Sequence, residues 1–457
     1  MQSHQDTITA VATPQGIGAV GIVRLSGSDS LAITQKLFRP LHKVIRSYRL
    51  THGWITDRNG HLLDEVLISF MPGPRSYTGE DVIEINCHGN PVILEAVVDA
   101  AVASGARQAN PGEFTKRAFL NSKIDLAQAE AVLEVINAPT EAGIQLAGNK
   151  LKGLLSNKIF TLTNSLAKLK QQLCLAVDFP EEELECLSRQ ELSSAATTCC
   201  QQISSLIASC DQGRVWTHGA LVVLAGQVNA GKSSLMNAIV GTERAIVADM
   251  PGTTRDYLEE AVNLKGLPVR LIDTAGIRQA QDYIEQQGLD RARELMQCAD
   301  IIVLVMDITR EPSAHDEEIL GSVDQDNLII AMNKWDLVTD APPWAVMLQK
   351  QHRAVCALSA KFGTGLEHFT ETIRNVALKG KSEYPDNFVI PNLRQKHCLE
   401  NALQELNTLA EEAMADLPYD LLAIRLDYAC SELDQVTGKI TPDQTLNSIF
   451  DNFCIGK

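Results

Sequence analysis

The stretch Gly226-Gln-Val-Asn-Ala-Gly231-Lys232-Ser233 has the spacing G-x-x-x-x-G-K-[ST], lying between a strand-like run and a helix-like run. Glycines at those points let backbone N–H groups curl round phosphates. Lys232 then reaches the β and γ phosphates, and the Ser233 hydroxyl is placed to hold Mg²⁺. Asn229, Ala230, Gly231 and Ser234 complete the predicted phosphate contacts. Three further boxes follow in order. In Asp273-Thr274-Ala275-Gly276, the aspartate suits water-mediated Mg²⁺ binding and the Gly276 amide suits a γ-phosphate sensor. In Asn333-Lys334-Trp335-Asp336, the Asp336 carboxylate can accept from guanine N1–H and the 2-amino group, a donor pair that adenine lacks. Ser359-Ala360-Lys361 suits a backbone contact to the guanine oxygen. Together, in this order and each at the end of a strand-like run, the boxes describe a site for a guanine nucleotide.

Between the first two boxes, Gly252-Thr253-Thr254-Arg255-Asp256 places Thr254 as a switch threonine on Mg²⁺. Ile277 directly follows the second box and cannot orient an attacking water. Glu285 is a candidate general base, and equally a solvated glutamate at a helix start. Arg255 and Arg278 stand near the site as arginine-finger candidates or as surface charges, and the Asn229 side-chain carbonyl is a plausible K⁺ ligand. At the C-terminus, Cys454-Ile-Gly-Lys457 does not fit a prenylation box, but a terminal lysine can grip an anionic ligand.

These residues must be positioned by elements of two kinds. Leu221–Ala225, Val269–Ile272, Ile301–Val305, Leu328–Met332 and Ala354–Leu358 are short apolar runs separated by helix-length stretches, which suits a parallel sheet buried on both faces. On either side the pattern is helical. Leu126, Ala129, Leu133 and Ile136 keep helical spacing up to Pro139, and Leu155, Ile159, Leu162, Leu166, Leu169 and Leu173 repeat at a/d intervals. Asp178–Glu185 reads as an acidic loop, and Leu399, Leu403, Leu406, Ala410 and Ala413 resume a helix after Pro391. The first 120 residues read as mixed α/β, with strands at Ala19–Leu25, Glu65–Phe70 and Asp81–Asn86 and a helix at Pro91–Ser104.

The expected architecture is therefore multidomain, α/β and all-α. Residues 1–120 form an N-terminal α/β domain, 121–214 and 381–457 the halves of a discontinuous helical domain, and 215–380 an inserted P-loop G domain with a mostly parallel sheet.

Composition bounds the function. With 40 basic and 57 acidic residues among 457, the net charge is −17, which argues against a protein that coats nucleic acid. Apolar runs such as Ile301–Met306 fall far short of the roughly 20 residues a bilayer requires. Asp6 and Arg24 argue against a signal peptide, and eleven scattered cysteines suit reduced thiols, so a cytoplasmic location is expected. A ribosome-assembly GTPase is the alternative function. It calls for a basic appendage or a second G domain, whereas residues 381–457 carry 6 Lys/Arg and 13 Asp/Glu. A dynamin-like membrane scaffold lacks its basic amphipathic helix.

The GTPase boxes, Gly252–Asp256, the Cys454–Lys457 ending, Gly21-Ile-Val-Arg-Leu-Ser-Gly27, Tyr77-Thr-Gly-Glu-Asp81 and Pro111-Gly-Glu-Phe-Thr-Lys-Arg-Ala-Phe-Leu-Asn121 together resemble the tRNA modification GTPase family MnmE, also called TrmE. The resemblance runs from the first strand to the last residue. It implies a tetrahydrofolate-binding, homodimerising N-terminal domain. It also implies a flavin-binding partner, MnmG (GidA), which joins the dimer in a heterotetramer. The pair adds an aminomethyl or carboxymethylaminomethyl group to C5 of the tRNA wobble uridine. By the resemblance, Asn229, Ala248, Met250 and Thr253 match K⁺ ligands, and Ser233 and Thr254 match Mg²⁺ ligands. Glu285 matches the catalytic glutamate, while Arg24, Glu84, Lys123 and Lys457 match folate contacts and Cys454 the motif cysteine. Val228 departs from the family's usual proline, Trp335 and Asn90 are further departures, and none removes a ligating group.

Overall fold

The computed structural model describes residues 6–41, 44–178, 188–242, 259–273, 294–379, 387–415 and 417–457. The chain divides into two compact units. One comprises Met1–Leu133, Leu151–Thr197 and Gln404–Lys457, the other Glu134–Lys150 and Thr198–Leu403.

The first unit contains a seven-stranded sheet of β1 (Ile8–Val11), β2 (Val20–Ser26), β3 (Phe38–Pro40), β4 (Thr51–Thr56), β5 (Leu62–Met71), β6 (Val82–His88) and β7 (Arg107–Gln108). Their order is β3-β4-β5-β6-β2-β1-β7. All pairs are antiparallel except β1 with β7. Three of these strands match the sequence expectation. The helix Pro91–Ala103 begins as its residues dictate: the Asn90 side chain caps Val92 N–H, and Pro91 takes the first-turn position where a missing N–H costs nothing. It packs Leu94, Val97 and Ala101 onto Val23, Leu25, Ile83 and Ile85 of the sheet.

The leucine stripe of the same unit forms the helix Leu154–Asp178, with Leu155, Ile159, Leu162, Leu166 and Leu173 at most 2% exposed. It packs against the helix Tyr419–Thr437, which buries Leu422, Leu426, Ala429, Leu433 and Val436 at matching intervals. Two expected stripes are adjusted. Leu126–Asn137 is helical, but Ile136 is 45% exposed. In Leu393–Met414 the fully buried row is Leu399, Ala402, Leu406, Leu409 and Ala413, and Leu403 and Ala410 lie at its margin. Ala402 and Leu409 take the places expected of Leu403 and Ala410, so the buried face is rotated by about one position from the expected row. The expected acidic loop Asp178–Glu185 lies almost wholly outside the described residues.

The second unit carries a six-stranded sheet of β8 (Ala220–Ala225), β9 (Glu259–Leu264), β10 (Leu267–Asp273), β11 (Ile301–Asp307), β12 (Leu328–Asn333) and β13 (Val355–Ala357). The order is β13-β12-β11-β8-β10-β9, parallel throughout except for the β9 edge. Both faces are buried. Val222, Leu224, Val303 and Val305 join one cluster, while Leu221 and Val223 with Ile302 and Leu304 sit in clusters on the other face. That explains why these strands read as continuous apolar runs. No helix among the described residues is long and apolar enough to cross a membrane.

Candidate nucleotide and anion sites

The phosphate loop runs from the C-terminal end of β8 into the helix Lys232–Thr242. Its turn needs the glycines at two points. Gly226 has φ +126°, and a Cβ there would lie 2.2 Å from the Val305 carbonyl oxygen; Gly231 has φ +99°, with Asn333 Nδ2 at the same 2.2 Å. Asn229 also adopts a positive φ, +65°, and its side chain is exposed on the loop. Lys232 is buried, and its Nζ donates to the Gly226 and Gln227 carbonyls, each at 2.8 Å, so the ammonium is held across the mouth of the loop. Ser233 Oγ donates to Asp273 Oδ2 at 2.6 Å, and Asp273 is fully buried at the end of β10. A hydroxyl beside a buried carboxylate is the oxygen donor set a hard divalent cation takes, so these residues fit Mg²⁺.

The base-side boxes close round the same strand ends. Asn333 is a staple. Its Nδ2 donates to Ala230 O at 2.9 Å, and its Oδ1 accepts from Lys334 N at 2.8 Å and Ala360 N at 3.0 Å. Lys334, at φ +64°, aims Nζ at Asp307 Oδ2, 2.6 Å away. Burial would raise the Asp307 carboxyl, but Lys334 and the Thr309 hydroxyl and amide outweigh it and hold it below the ordinary carboxylate value. Ser359 Oγ donates to Asp336 Oδ1 at 2.5 Å, which orients the carboxylate expected to read guanine. The Lys361 ammonium lies 5.1 Å from the Phe362 ring centre. The structure thus brings together the phosphate loop, Asp273, Asn333, Lys334, Asp336, Ser359 and Ala360. Ala248, Met250, Thr253, Thr254, Arg255, Thr274, Ala275, Gly276, Ile277, Arg278 and Glu285 lie outside the described residues. Asp307 and the Gln227 side chain were missed in the sequence. Asp307 could have been found as the acid that ends an apolar strand beside the loop.

The first unit holds a separate cluster. Arg24 on β2 and Glu84 on β6 are cross-strand partners, joined by Nη2–Oε1 and Nε–Oε1 contacts of 2.7 and 3.0 Å. Arg24 Nη1 also donates to Gly456 O at 3.2 Å, and its guanidinium lies 5.7 Å from the Tyr77 ring and 5.6 Å from the Phe114 ring. The C-terminal turn is pinned there. Thr115 N donates to Lys457 O at 3.0 Å, and Gly456 at φ +96° leaves no room for a Cβ, which would sit 2.1 Å from Val11 O. Burial pushes the Lys457 ammonium below its ordinary value, Arg24 adds repulsion, and Glu84 partly offsets both. Contacts thus link Arg24, Glu84 and the Lys457 turn, whereas Lys123 Nζ donates to Pro74 O at 2.8 Å. Cys454 is exposed, and its carbonyl accepts from Lys457 N and Gly112 N. Tyr77 and Phe114 lie within the recognised N-terminal phrases, yet nothing in their spacing placed them on Arg24.

A neighbouring network positions this wall. Arg117, 1% exposed, is ion-paired to Asp6, Glu80 and Glu113 at 2.8, 3.1 and 3.0 Å. Arg107 joins Asp6 and Glu113 at 2.8 and 2.7 Å. Burial raises the carboxyls of Glu113 and Asp6, but the two arginines more than reverse it and both sit below their ordinary values.

A parallel sheet, a glycine phosphate loop at its strand ends and a carboxylate set to read guanine define a P-loop GTPase. Residues 7–123 match the family described as GTP-binding protein TrmE N-terminus, and residues 126–454 the MnmE helical domain. The curated tRNA modification GTPase MnmE of Nitratidesulfovibrio vulgaris (strain Hildenborough) is 46% identical over 99% of this chain and 100% of its own length. Those of Desulforamulus reducens and Lawsonia intracellularis are 38% and 39% identical over 99% of this chain. The G domain of the T. maritima FeoB iron transporter is 30% identical over 35% of this chain and 98% of its own, with a TM-score of 0.27. This chain belongs to the tRNA modification GTPase MnmE (TrmE) family.

Proposed function

We propose that the protein is a K⁺-dependent GTPase that, with a flavin-dependent partner of the MnmG type, adds an aminomethyl or carboxymethylaminomethyl group to C5 of the tRNA wobble uridine. The observation that carries the reading is the assembly of the phosphate loop, Asp273, Asn333 and Asp336 at one set of strand ends.

In this reading residues 215–380 are the inserted G domain, 121–214 and 381–457 the helical domain, and 1–120 the folate-binding, dimerising domain. The loop N–H groups and Lys232 hold the phosphates of GTP, and Asp336 selects guanine. Ser233, with Thr254 beyond it, holds Mg²⁺, which supplies charge neutralisation at the β and γ phosphates. Asn229 heads the K⁺ ligands, joined by Ala248, Met250 and Thr253, and Glu285 orients the attacking water. Arg24, Glu84, Lys123 and Lys457 hold a tetrahydrofolate that supplies the one-carbon unit. Arg24 and Glu84 present a donor fork and a carboxylate on one sheet face, which fits a pterin with an acidic tail. The protein works as a homodimer in the cytoplasm.

The test is reconstitution with unmodified tRNA, the flavoprotein, GTP and a one-carbon tetrahydrofolate, followed by nucleoside mass analysis. A C5-modified wobble uridine formed only with GTP is expected. Unmodified tRNA, with GTP turnover intact, overturns the tRNA reading.

A further inference from the structure

Beside the phosphate loop is a recess bounded by Gln227, Asn229, Met306, Asp307, Arg310 and Asp316. Three donors converge there on one oxygen. Asp316 Oδ2 accepts from Ser313 N at 3.0 Å, Ser313 Oγ at 2.8 Å and Gln227 Nε2 at 2.9 Å. The first two belong to a capping box that starts the helix Ala314–Ser322, and Asp316 N donates back to Ser313 Oγ. Asp316 is 3% exposed, and its second oxygen, Oδ1, is buried with no hydrogen-bond partner. A carboxylate that leaves one oxygen orphaned to concentrate three donors on the other is held by its helix cap, not by the loop.

The loop needs such an anchor. Two positive-φ residues, Gly226 and Asn229, flank Gln227 and Val228, and Val228 is 63% exposed without fixing the turn. The remaining tethers on Gln227 meet its carbonyl, which accepts from Ala230 N within the loop itself and from Lys232 Nζ. That ammonium is the group that must also serve the phosphates of GTP. The side-chain bond to Asp316 asks nothing of Lys232.

We propose that Asp316 is a positioning residue for GTP hydrolysis: through the Gln227 side chain it fixes the phosphate loop, and so sets the loop N–H groups and Asn229. The bond joins a neutral donor to a charged acceptor, a class whose loss costs a factor of about ten or more when the geometry it holds is used in the transition state.

The experiment uses the full chain. Gln227→Leu removes the tether and keeps the backbone carbonyl. Gln227→Glu sets two carboxylates against each other. Asp316→Ala, alone and combined with Gln227→Leu, completes a double-mutant cycle, since without the acceptor the Gln227 side chain has no tether to lose. GTP turnover and thermal unfolding are read for each. Gln227 is half-exposed, so unfolding temperatures of its variants should move little. Gln227→Leu and Gln227→Glu should lower kcat by about tenfold or more in the parent, whereas adding Gln227→Leu to Asp316→Ala should change it by less than about threefold. A kcat within twofold of the parent in either single variant overturns the proposal. So does an equal loss from Gln227→Leu with and without Asp316, which would show that Gln227 acts without Asp316.

Discussion

Replacing Asn333 with alanine should separate the two halves of the nucleotide site without touching a nucleotide-contacting atom of the phosphate loop. The side chain is 3% exposed and makes three bonds, to Ala230 O, Lys334 N and Ala360 N. Truncation leaves the Ala230 carbonyl and the Ala360 N–H without these partners in a buried setting; the half-buried Lys334 N–H can turn to water. Each orphaned buried group costs about 1–3 kcal/mol, so the pair costs roughly 2–6 kcal/mol. The apo protein relieves that cost by letting the two loops part, and bound nucleotide must bring them together again. The lower bound of about 2 kcal/mol corresponds to an affinity loss of roughly thirtyfold. The assay is equilibrium titration with a fluorescent GDP analogue, beside thermal unfolding of the same preparation. Gly231 supplies an independent check on the geometry. A Cβ there would stand 2.2 Å from Asn333 Nδ2, so Gly231→Ala should weaken binding by the same route. If Asn333→Ala binds GDP within threefold of the parent, the staple does not hold the loops and the reasoning fails.

Further outcomes follow from other contacts. Asp336→Asn exchanges one acceptor for a donor, so it should lose GTP and gain the 2-oxo analogue XTP; competition assays that still favour GTP would contradict the assigned base contact. Arg117→Met strips a buried cation from Asp6, Glu80 and Glu113 and should destabilise the first unit by about 3–5 kcal/mol in chemical denaturation. Glu113 and Asp6 are depressed in the folded chain, so their stabilisation is complete above the ordinary values of 4.5 and 3.8 and is lost as pH falls below them. Acid unfolding followed by circular dichroism should therefore show a steeper loss in the parent than in Arg117→Met. Gly456→Ala would drive a Cβ to 2.1 Å from Val11 O and displace Lys457. Calorimetric titration should show weakened tetrahydrofolate binding with GTP turnover preserved.

The sequence made the second unit easy to read and the first hard. The central parallel strands there are buried on both faces, so Ile301–Asp307 and Leu328–Asn333 are unbroken apolar runs that end on a chemical residue. The edge strand β9, Glu259–Leu264, escaped notice because only Val262 and Leu264 are buried and the rest is polar or half-exposed. In the N-terminal sheet, β1 has four residues, β3 three and β7 two, too few to show a period. Glycine and lysine positions of the nucleotide site carry their own signature because backbone shape demands them. The Arg24 cluster carries none, since Glu84, Tyr77, Phe114 and Gly456 meet only through pairing and packing, with Arg24 and Gly456 separated by 432 positions. Resemblance to a known family named Arg24 and Glu84, which physical pattern alone did not; Lys457 was legible as a terminal lysine suited to an anion.

A guanine-specific site completed by K⁺ at Asn229 is open to measurement as GTP turnover in KCl and in NaCl at equal ionic strength, with ATP as the control nucleotide. GTP should turn over fast in KCl and slowly in NaCl, and ATP should not turn over in either. Equal GTP rates in the two salts would contradict the assignment of Asn229 as a cation ligand, and ATP turnover at the GTP rate would contradict the base reading of Asp336.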